Sequence, residues 1–413
     1  MSGQLVVGID IGTTKVCTIV GEVRADDIFV VGVGIEPSRG MKKGVVTDLT
    51  SLSAAISASV HKAEKTSGFD IKRAFVSMAG KDVAGFTSHG SVGLTGNRGV
   101  REDDIERAIE NARTIAIPHN KEVLHVIPRA YSLDGQGHVR SPIGMHGFRL
   151  DVEVAIITVS ATSVVNLEQT LQAALIQADR FVLNPLASGD AVLTDEEREM
   201  GVVVIDIGGG TTDLAIFIDG TVWHSAVIPI AGDLITNDMT HWMKVSFDAA
   251  EAVKLQYGHA REKAVNPFET FVVQTFGEEG MMEFKRSDIA MVIEARTTEL
   301  FEKVLAEIKR SGYDGLLRAG AVITGGCAQL PGIREVAQEV LGMPVRIAKP
   351  EKLTGVADVL RNPAYSTAVG LLRVGLQMET AETVGNGNGG GERRGLGSWL
   401  GGLFRGLLPD EER

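Results

Sequence analysis

One motif occurs twice in this chain of 413 residues. Val7-Gly8-Ile9-Asp10-Ile11-Gly12-Thr13-Thr14-Lys15 can be laid beside Val204-Ile205-Asp206-Ile207-Gly208-Gly209-Gly210-Thr211-Thr212-Asp213, and both read Asp-x-Gly followed by Thr-Thr. Each copy closes one apolar Val/Ile run and opens another, so each is expected to be the turn of a strand pair. The runs Leu5 to Ile11, Val16 to Val23 and Ile28 to Val33 predict three strands, and Gly201 to Ile207, Leu214 to Ile218 and Val222 to Ile228 predict three more. A chain built as two related halves is the consequence.

Between the halves the length does not fit a simple repeat. Asp10 and Asp206 are 196 residues apart, whereas five strands, three helices and their loops need roughly 100 to 120. An insert of roughly 70 to 90 residues is implied, and 83–158 is its expected extent: a small α+β unit with a helix at Asp103 to Ile115 and a closing run at Val152 to Val159. Helices are also expected behind the caps Thr47 and Asp48, with apolar positions Leu52, Ile56 and Val60, and at Ser287 to Lys309.

A strand that ends in Asp and turns through glycine can point backbone N–H groups at a phosphate, and two such loops can grip one polyphosphate. Gly12 and Gly208 to Gly210 form the turns; Thr13, Thr14, Thr211 and Thr212 add hydroxyls; Lys15 adds a charge suited to a β-phosphate. Asp10 and Asp206 are placed to hold Mg²⁺ through its waters, because that small ion keeps much of its hydration shell. A third glycine turn, Thr324-Gly325-Gly326-Cys327-Ala328-Gln329, follows an apolar run, and its small residues would let a flat ring approach the backbone.

Composition excludes several classes. Lys plus Arg total 41 against 53 Asp plus Glu, a net charge of −12, which argues against nucleic acid as a partner. Two cysteines, Cys17 and Cys327, make no disulfide framework and fit a reducing compartment. The acid at Asp10 and the lack of a basic start argue against a signal peptide, and no apolar run has the roughly 18 residues of a transmembrane helix.

On these loops the chain resembles the actin, sugar-kinase and heat-shock-chaperone superfamily, and within it the FtsA family of actin-like bacterial cell-division proteins. The resemblance implies an α/β fold of two duplicated actin-like (ribonuclease H-like) domains flanking a nucleotide cleft, with the α+β insert and a C-terminal amphipathic helix. The first core would comprise 1–82, 159–198 and 349–378 around the insert 83–158. The second would comprise 199–228 and 287–348 around an adenosine-side, partner-docking subdomain at 229–286. It implies ATP with Mg²⁺ as ligand, Glu251 and Lys254 at the ribose or adenine, Gly325 and Gly326 in the adenosine loop, and crossings between the halves at Asn184 to Gly189 and Ala368 to Gly370. Several relatives have an acid where Asn184 stands; an amide cannot act as a general base, so any ATPase activity is expected to be weak.

The far end carries a separate signal. Residues 379–395 are glycine-rich and read as a flexible linker. In 396–408, Leu396, Trp399, Leu400, Leu403, Phe404, Leu407 and Leu408 recur at three-or-four spacing. Arg393, Arg394 and Arg405 add charge for an anionic membrane surface. The family resemblance then implies a filament-forming adaptor, peripheral on the cytoplasmic membrane at the division site, that binds FtsZ, itself and other division proteins. Two rivals are an ATP-dependent small-molecule kinase of the same superfamily and a pilus-assembly adaptor. A heat-shock-type chaperone is disfavoured, since fewer than 40 residues follow the last core helix.

Overall fold

The computed structural model describes residues 5–385 apart from 25–26, 81, 96–97 and 277–279. The chain opens with β1 (Leu5–Ile11), β2 (Lys15–Arg24) and β3 (Asp27–Pro37), then a small hairpin of β4 (Met41–Lys42) and β5 (Val45–Val46). Helix α1 (Leu49–Ser67) starts where Asp48 accepts from the N–H groups of Thr50 and Ser51, and stops at Gly68, whose φ of 78° a side chain would resist. After β6 (Arg73–Met78) comes the insert: β7 (Ala84–Gly93), α2 (Glu102–Arg113), β8 (Lys121–Leu133), β9 (Gln136–Val139) and β10 (Arg149–Ser160). The first half resumes with α3 (Ala161–Ala173), β11 (Gln177–Leu183), α4 (Asn184–Val192) and α5 (Asp195–Met200).

The second half repeats the grammar with β12 (Val202–Ile207), β13 (Thr212–Ile218) and β14 (Thr221–Ile228). Helices α6 (Gly232–Met243) and α7 (Phe247–Tyr257) and the hairpin of β15 (Thr270–Gln274) and β16 (Met281–Lys285) form its subdomain. Helix α8 (Arg286–Ser311), β17 (Gly320–Thr324), α9 (Ile333–Leu341) and β18 (Val345–Ile347) complete that sheet, and β19 (Thr354–Gly355) and α10 (Ser366–Gly385) return to the first half.

The strands confirm the duplication. One sheet has the order β11-β6-β1-β2-β3-β19, the other β14-β13-β12-β17-β18, each with an antiparallel three-strand meander joined to parallel strands. All of β12 and β13 is buried, which is why both read as continuous apolar runs rather than alternating ones. The insert forms its own sheet, β7-β10-β8-β9, with α2 packed on it through Ala108, Ile109 and Ala112.

Two crossings join the lobes. Helices α4 and α10 meet backbone to backbone: a Cβ on Gly370 would lie 1.7 Å from the Ala187 carbonyl oxygen, so no side chain fits there. Both crossings expected from the sequence therefore pack on each other, and an apolar seam of Leu183, Ala187, Val204, Phe217, Ala368 and Leu371 runs through them.

Two expectations are corrected. Helix α8 begins at Arg286, one residue before the expected Ser-Asp start, and no side chain caps it. The linker expected over 379–395 begins as helix, because α10 runs on to Gly385; Glu379 to Val384 contains nothing that breaks a helix, and the glycine run starts only afterwards. The rest of that linker and the expected membrane segment, 396–408, lie outside the described residues. Among the described residues no helix is long and apolar enough to cross a membrane.

Candidate functional site

The two repeated loops are the same structure. In the first hairpin Asp10 pairs with Cys17 and Ile11 with Val16; in the second Asp206 pairs with Asp213 and Ile207 with Thr212. Gly12 N donates to the Lys15 carbonyl and Gly208 N to the Thr211 carbonyl, both at 3.0 Å. This register revises the pairing of Thr-Thr with Thr-Thr. The loop tips are Thr13-Thr14 and Gly209-Gly210, so Thr211 and Thr212 stand where Lys15 and Val16 stand in the first loop.

The tips face each other across the cleft. A Cβ on Gly209 would lie 2.2 Å from Thr14 Oγ1, and one on Gly210 would lie 2.4 Å from Thr13 Oγ1. Glycine at both positions is what lets the loops approach this closely. Thr212, fully buried, donates its hydroxyl to the Ile230 carbonyl at 2.7 Å and does not face the gap, whereas Thr211 donates to Asp213 Oδ2 at 2.9 Å.

Three carboxyl groups collect beneath the loops. Burial raises the pKa of Asp10, with Lys15 opposing; burial pushes Asp206 to about 6, partly offset by the Thr367 hydroxyl; burial and the Asp206 charge push Asp213 to about 8. Asp213 Oδ1, Asn184 Oδ1 and Ser188 Oγ are buried with no hydrogen bond of 3.5 Å or less among the described residues, although Ser188 is near enough to Asp206, and Asn184 to Asp213, to oppose the rise in those pKa values. Clustered acids and unpartnered oxygens fit a hydrated cation. Direct ligation is another matter: among the described residues no group of three His, Cys, Asp or Glu side chains is arranged to hold a metal.

Lys15, expected on a phosphate, donates to the Ala364 carbonyl at 2.6 Å and sits 4.9 Å from the centre of the Tyr365 ring. Glu251 and Lys254 pair at 2.6 Å, and Lys254 Nζ also donates to Thr236 Oγ1 at 2.7 Å and to the Gly232 carbonyl at 3.2 Å. They lie beside the second loop and Cys327, since a Cβ on Gly232 would be 3.3 Å from the Gly208 carbonyl, 3.6 Å from Lys254 Nζ and 3.7 Å from Cys327 Sγ. Gly325, at φ +89°, leaves only 2.4 Å between its Cβ position and Asp206 Oδ1. The third loop is thus part of the same site, and Gly326 is next to it.

Sequence reasoning missed two contributors. Asp213 was readable as an acid inside an otherwise apolar strand, Thr212–Ile218. The strap 362–367 carried no local signal: Asn362 Nδ2 donates to Gln329 Oε1 at 2.6 Å, Ala364 holds Lys15, and Thr367 holds Asp206. From the insert, His125 Nε2 accepts from Leu183 N at 3.1 Å, immediately before Asn184.

Solved structures place this architecture. The PilM-PilN type IV pilus biogenesis complex matches with a TM-score of 0.63 at 17% identity, covering 90% of this chain and 98% of that one. MreB5 of Spiroplasma citri, solved with ADP, matches at 0.58 and 13%, covering 94% and 100%. At such identities the likeness is one of fold, and it defines a two-lobed actin-like protein with paired hairpin loops in the cleft. The chain belongs to the FtsA family of cell-division proteins: the profile "Cell division protein FtsA" matches residues 203–370 and "SHS2 domain inserted in FTSA" matches residues 80–158. The cell division protein FtsA of Pseudomonas aeruginosa is 43% identical over 380 residues, 92% of this chain and 91% of that protein. That of Escherichia coli K12 is 36% identical over 408 residues, 96% of each. The expected family, actin-like fold and insert are borne out, and the role of the chain is in cell division.

Proposed function

We propose that this chain is an ATP-binding adaptor that assembles into actin-like filaments on the cytoplasmic face of the membrane and tethers FtsZ there, with other division proteins docking on it. The observation that carries the nucleotide part is the apposition of Thr13-Thr14 with Gly209-Gly210 directly above Asp10 and Asp206. Mg²⁺, when bound, would neutralise phosphate charge; Asp10 and Asp206 would hold its waters, and Gly12, Gly208, Thr13, Thr14 and Lys15 would position the phosphates. Lys15 must leave Ala364 to do so. Gly325 and Gly326 would face the base, with Glu251 and Lys254 on the sugar side. Supporting this, MreB5 has been solved with ADP and with AMPPNP, and the fold neighbour MamK as a double helical filament.

Membrane attachment rests on 396–408. Burying its seven large apolar side chains would yield roughly 10 to 20 kcal/mol at about 1.5 to 3 each, against ordering thirteen residues at about 1 to 2 each. One tail holds weakly; many tails on one filament hold together, because linkage raises their effective concentration. The division role favours this reading over the kinase and pilus rivals.

The test is liposome co-sedimentation with FtsZ, comparing the intact chain with one ending at Gly385, where α10 stops. The shortened chain should still bind FtsZ but no longer bring it to anionic liposomes. Calorimetry should show ATP binding in wild type that Asp206→Ala loses. Equal sedimentation of both chains, or no nucleotide binding at millimolar ATP, refutes the corresponding part.

A further inference from the structure

The hairpin β4–β5 lies against the tip of the second phosphate loop, and its turn contains a conflict between sequence and backbone. Met41 pairs with Val46 and Lys42 with Val45, so the turn is the two residues Lys43 and Gly44. Their φ angles are 49° and 71°, the left-handed pair that a type I′ turn requires. Such a turn favours Asn, Asp or Gly at its first central position, because an ordinary side chain resists positive φ. Gly44 meets this demand and Lys43 does not. Leu175, Lys244 and Lys352 also stand at positive φ, so it is the place of Lys43, beside the second loop, that points to a task for its side chain.

The position suggests the task. The backbone nitrogen of Lys43 is 3.0 Å from where a Cβ on Gly210 would lie. The hairpin is closed at its base by Thr47 N donating to the Gly40 carbonyl at 2.8 Å, the segment before it is tied to the first loop by Ser38 N donating to the Thr14 carbonyl at 2.9 Å, and one side of its turn, Gly44, abuts Ala79 and Gly80. The other side of the turn, Lys43, rests on Gly210 of the second loop. Lys43 is exposed, and no hydrogen bond or ion pair involves its ammonium among the described residues. Lys15, by contrast, is engaged by Ala364 and Tyr365.

We propose that Lys43 is a phosphate-sensing residue, which reaches from the β4–β5 turn to the terminal phosphate of a bound nucleoside triphosphate and so distinguishes triphosphate from diphosphate. This rests on the nucleotide reading above. A lysine suits the role because its ammonium is a compact charge on a flexible stem, able to follow a phosphate that only one of the two ligands carries.

The experiment titrates full-length protein with Mg-ATP, Mg-ADP and AMP, and records a melting curve without ligand. In Lys43→Asn the turn gains a residue it prefers, so the melting temperature should hold or rise. ATP affinity should fall about ten- to hundredfold, the value of one charge-assisted contact, with ADP and AMP unchanged, and Lys43→Arg should retain most of the ATP affinity. Lys42→Asn, removing the same charge one residue away, should leave all three ligands unaffected. The proposal is overturned if Lys43→Asn keeps the wild-type ratio of ATP to ADP affinity, or if Lys42→Asn weakens ATP as much. A wild-type chain that binds none of the three ligands refutes the nucleotide reading itself, and the sensor with it; wild-type binding with an unchanged Lys43→Asn refutes the sensor alone.

Discussion

The Thr367 hydroxyl donates to Asp206 Oδ2 at 2.8 Å, joining residues 161 positions apart. The bond fastens the first turn of α10, the returning crossing, to the strand that carries the second loop. Thr367 and Asp206 are both buried, so removing the donor leaves a carboxylate without its partner. Thr367→Val is expected to cost about 1.5 to 3 kcal/mol, and Thr367→Ser, which keeps the hydroxyl, much less. Urea unfolding of the two variants checks this; a loss in Thr367→Ser as large as that in Thr367→Val would contradict it, because only the valine lacks the donor.

Asp213 gives the nucleotide-free protein a pH dependence of definite sign. Its folded pKa of about 8 lies above the ordinary 3.8, so between those values the folded state holds a proton that the unfolded state has released. Stability must then fall as pH rises through that window. His125, pushed down to about 3 by burial, works the other way below about pH 6.5, so the comparison needs a variant. Relative to wild type, Asp213→Asn should lose this slope and gain about 2 to 4 kcal/mol between pH 5 and pH 8. Urea midpoints at both pH values measure it, and parallel pH profiles for the two proteins would contradict it.

Adjacent glycines of the third loop should respond differently to alanine. At Gly325 a Cβ would lie 2.4 Å from Asp206 Oδ1, 2.5 Å from the Ile207 carbonyl and 2.6 Å from Ile207 N, at φ +89°. At Gly326 the nearest atom is 3.8 Å away. Gly325→Ala should lose about 2 kcal/mol or more and displace Asp206, weakening nucleotide binding, while Gly326→Ala stays near wild type in stability. Thermal melts and a nucleotide titration test the pair.

Arg129 fastens the insert to the second lobe. Its side chain is only 5% exposed, lies 3.6 Å from Glu153, donates to the carbonyls of Val222 and Trp223, and lies 5.7 Å from the centre of the Trp223 ring. Arg129→Met keeps length but loses every donor, and should destabilise by about 3 kcal/mol. Hydrogen exchange should quicken across 84–160 before it does elsewhere; a uniform change would show that the insert does not open separately.

Hydrolysis should be slow. General-base assistance is worth about 10² to 10⁴ in rate, and the amide of Asn184 cannot supply it. Turnover should lie far below the enzyme median of about 10 per second, and Asn184→Glu should raise it. A phosphate-release assay decides.

Local features were legible from neighbouring residues. Strand periods, the Asp48 cap and the two Asp-x-Gly turns are all set within a few residues, and a hairpin's register follows from its own loop length. Both aspartates and the glycines around them were legible for that reason. Tertiary structure alone decided which groups the loops meet. Nothing near Thr212 tells that Ile230 takes its hydroxyl, nothing near Lys15 that Ala364 receives its ammonium 349 residues later, and nothing near Lys43 that its turn rests on Gly210. Those partners are brought together by α4 and α10 packing at Ala187 and Gly370, which fixes one lobe against the other. Burial is likewise a property of the assembled cleft: the raised pKa of Asp213 comes first from its burial among apolar strands and then from the Asp206 carboxylate, and no stretch of sequence contains that environment.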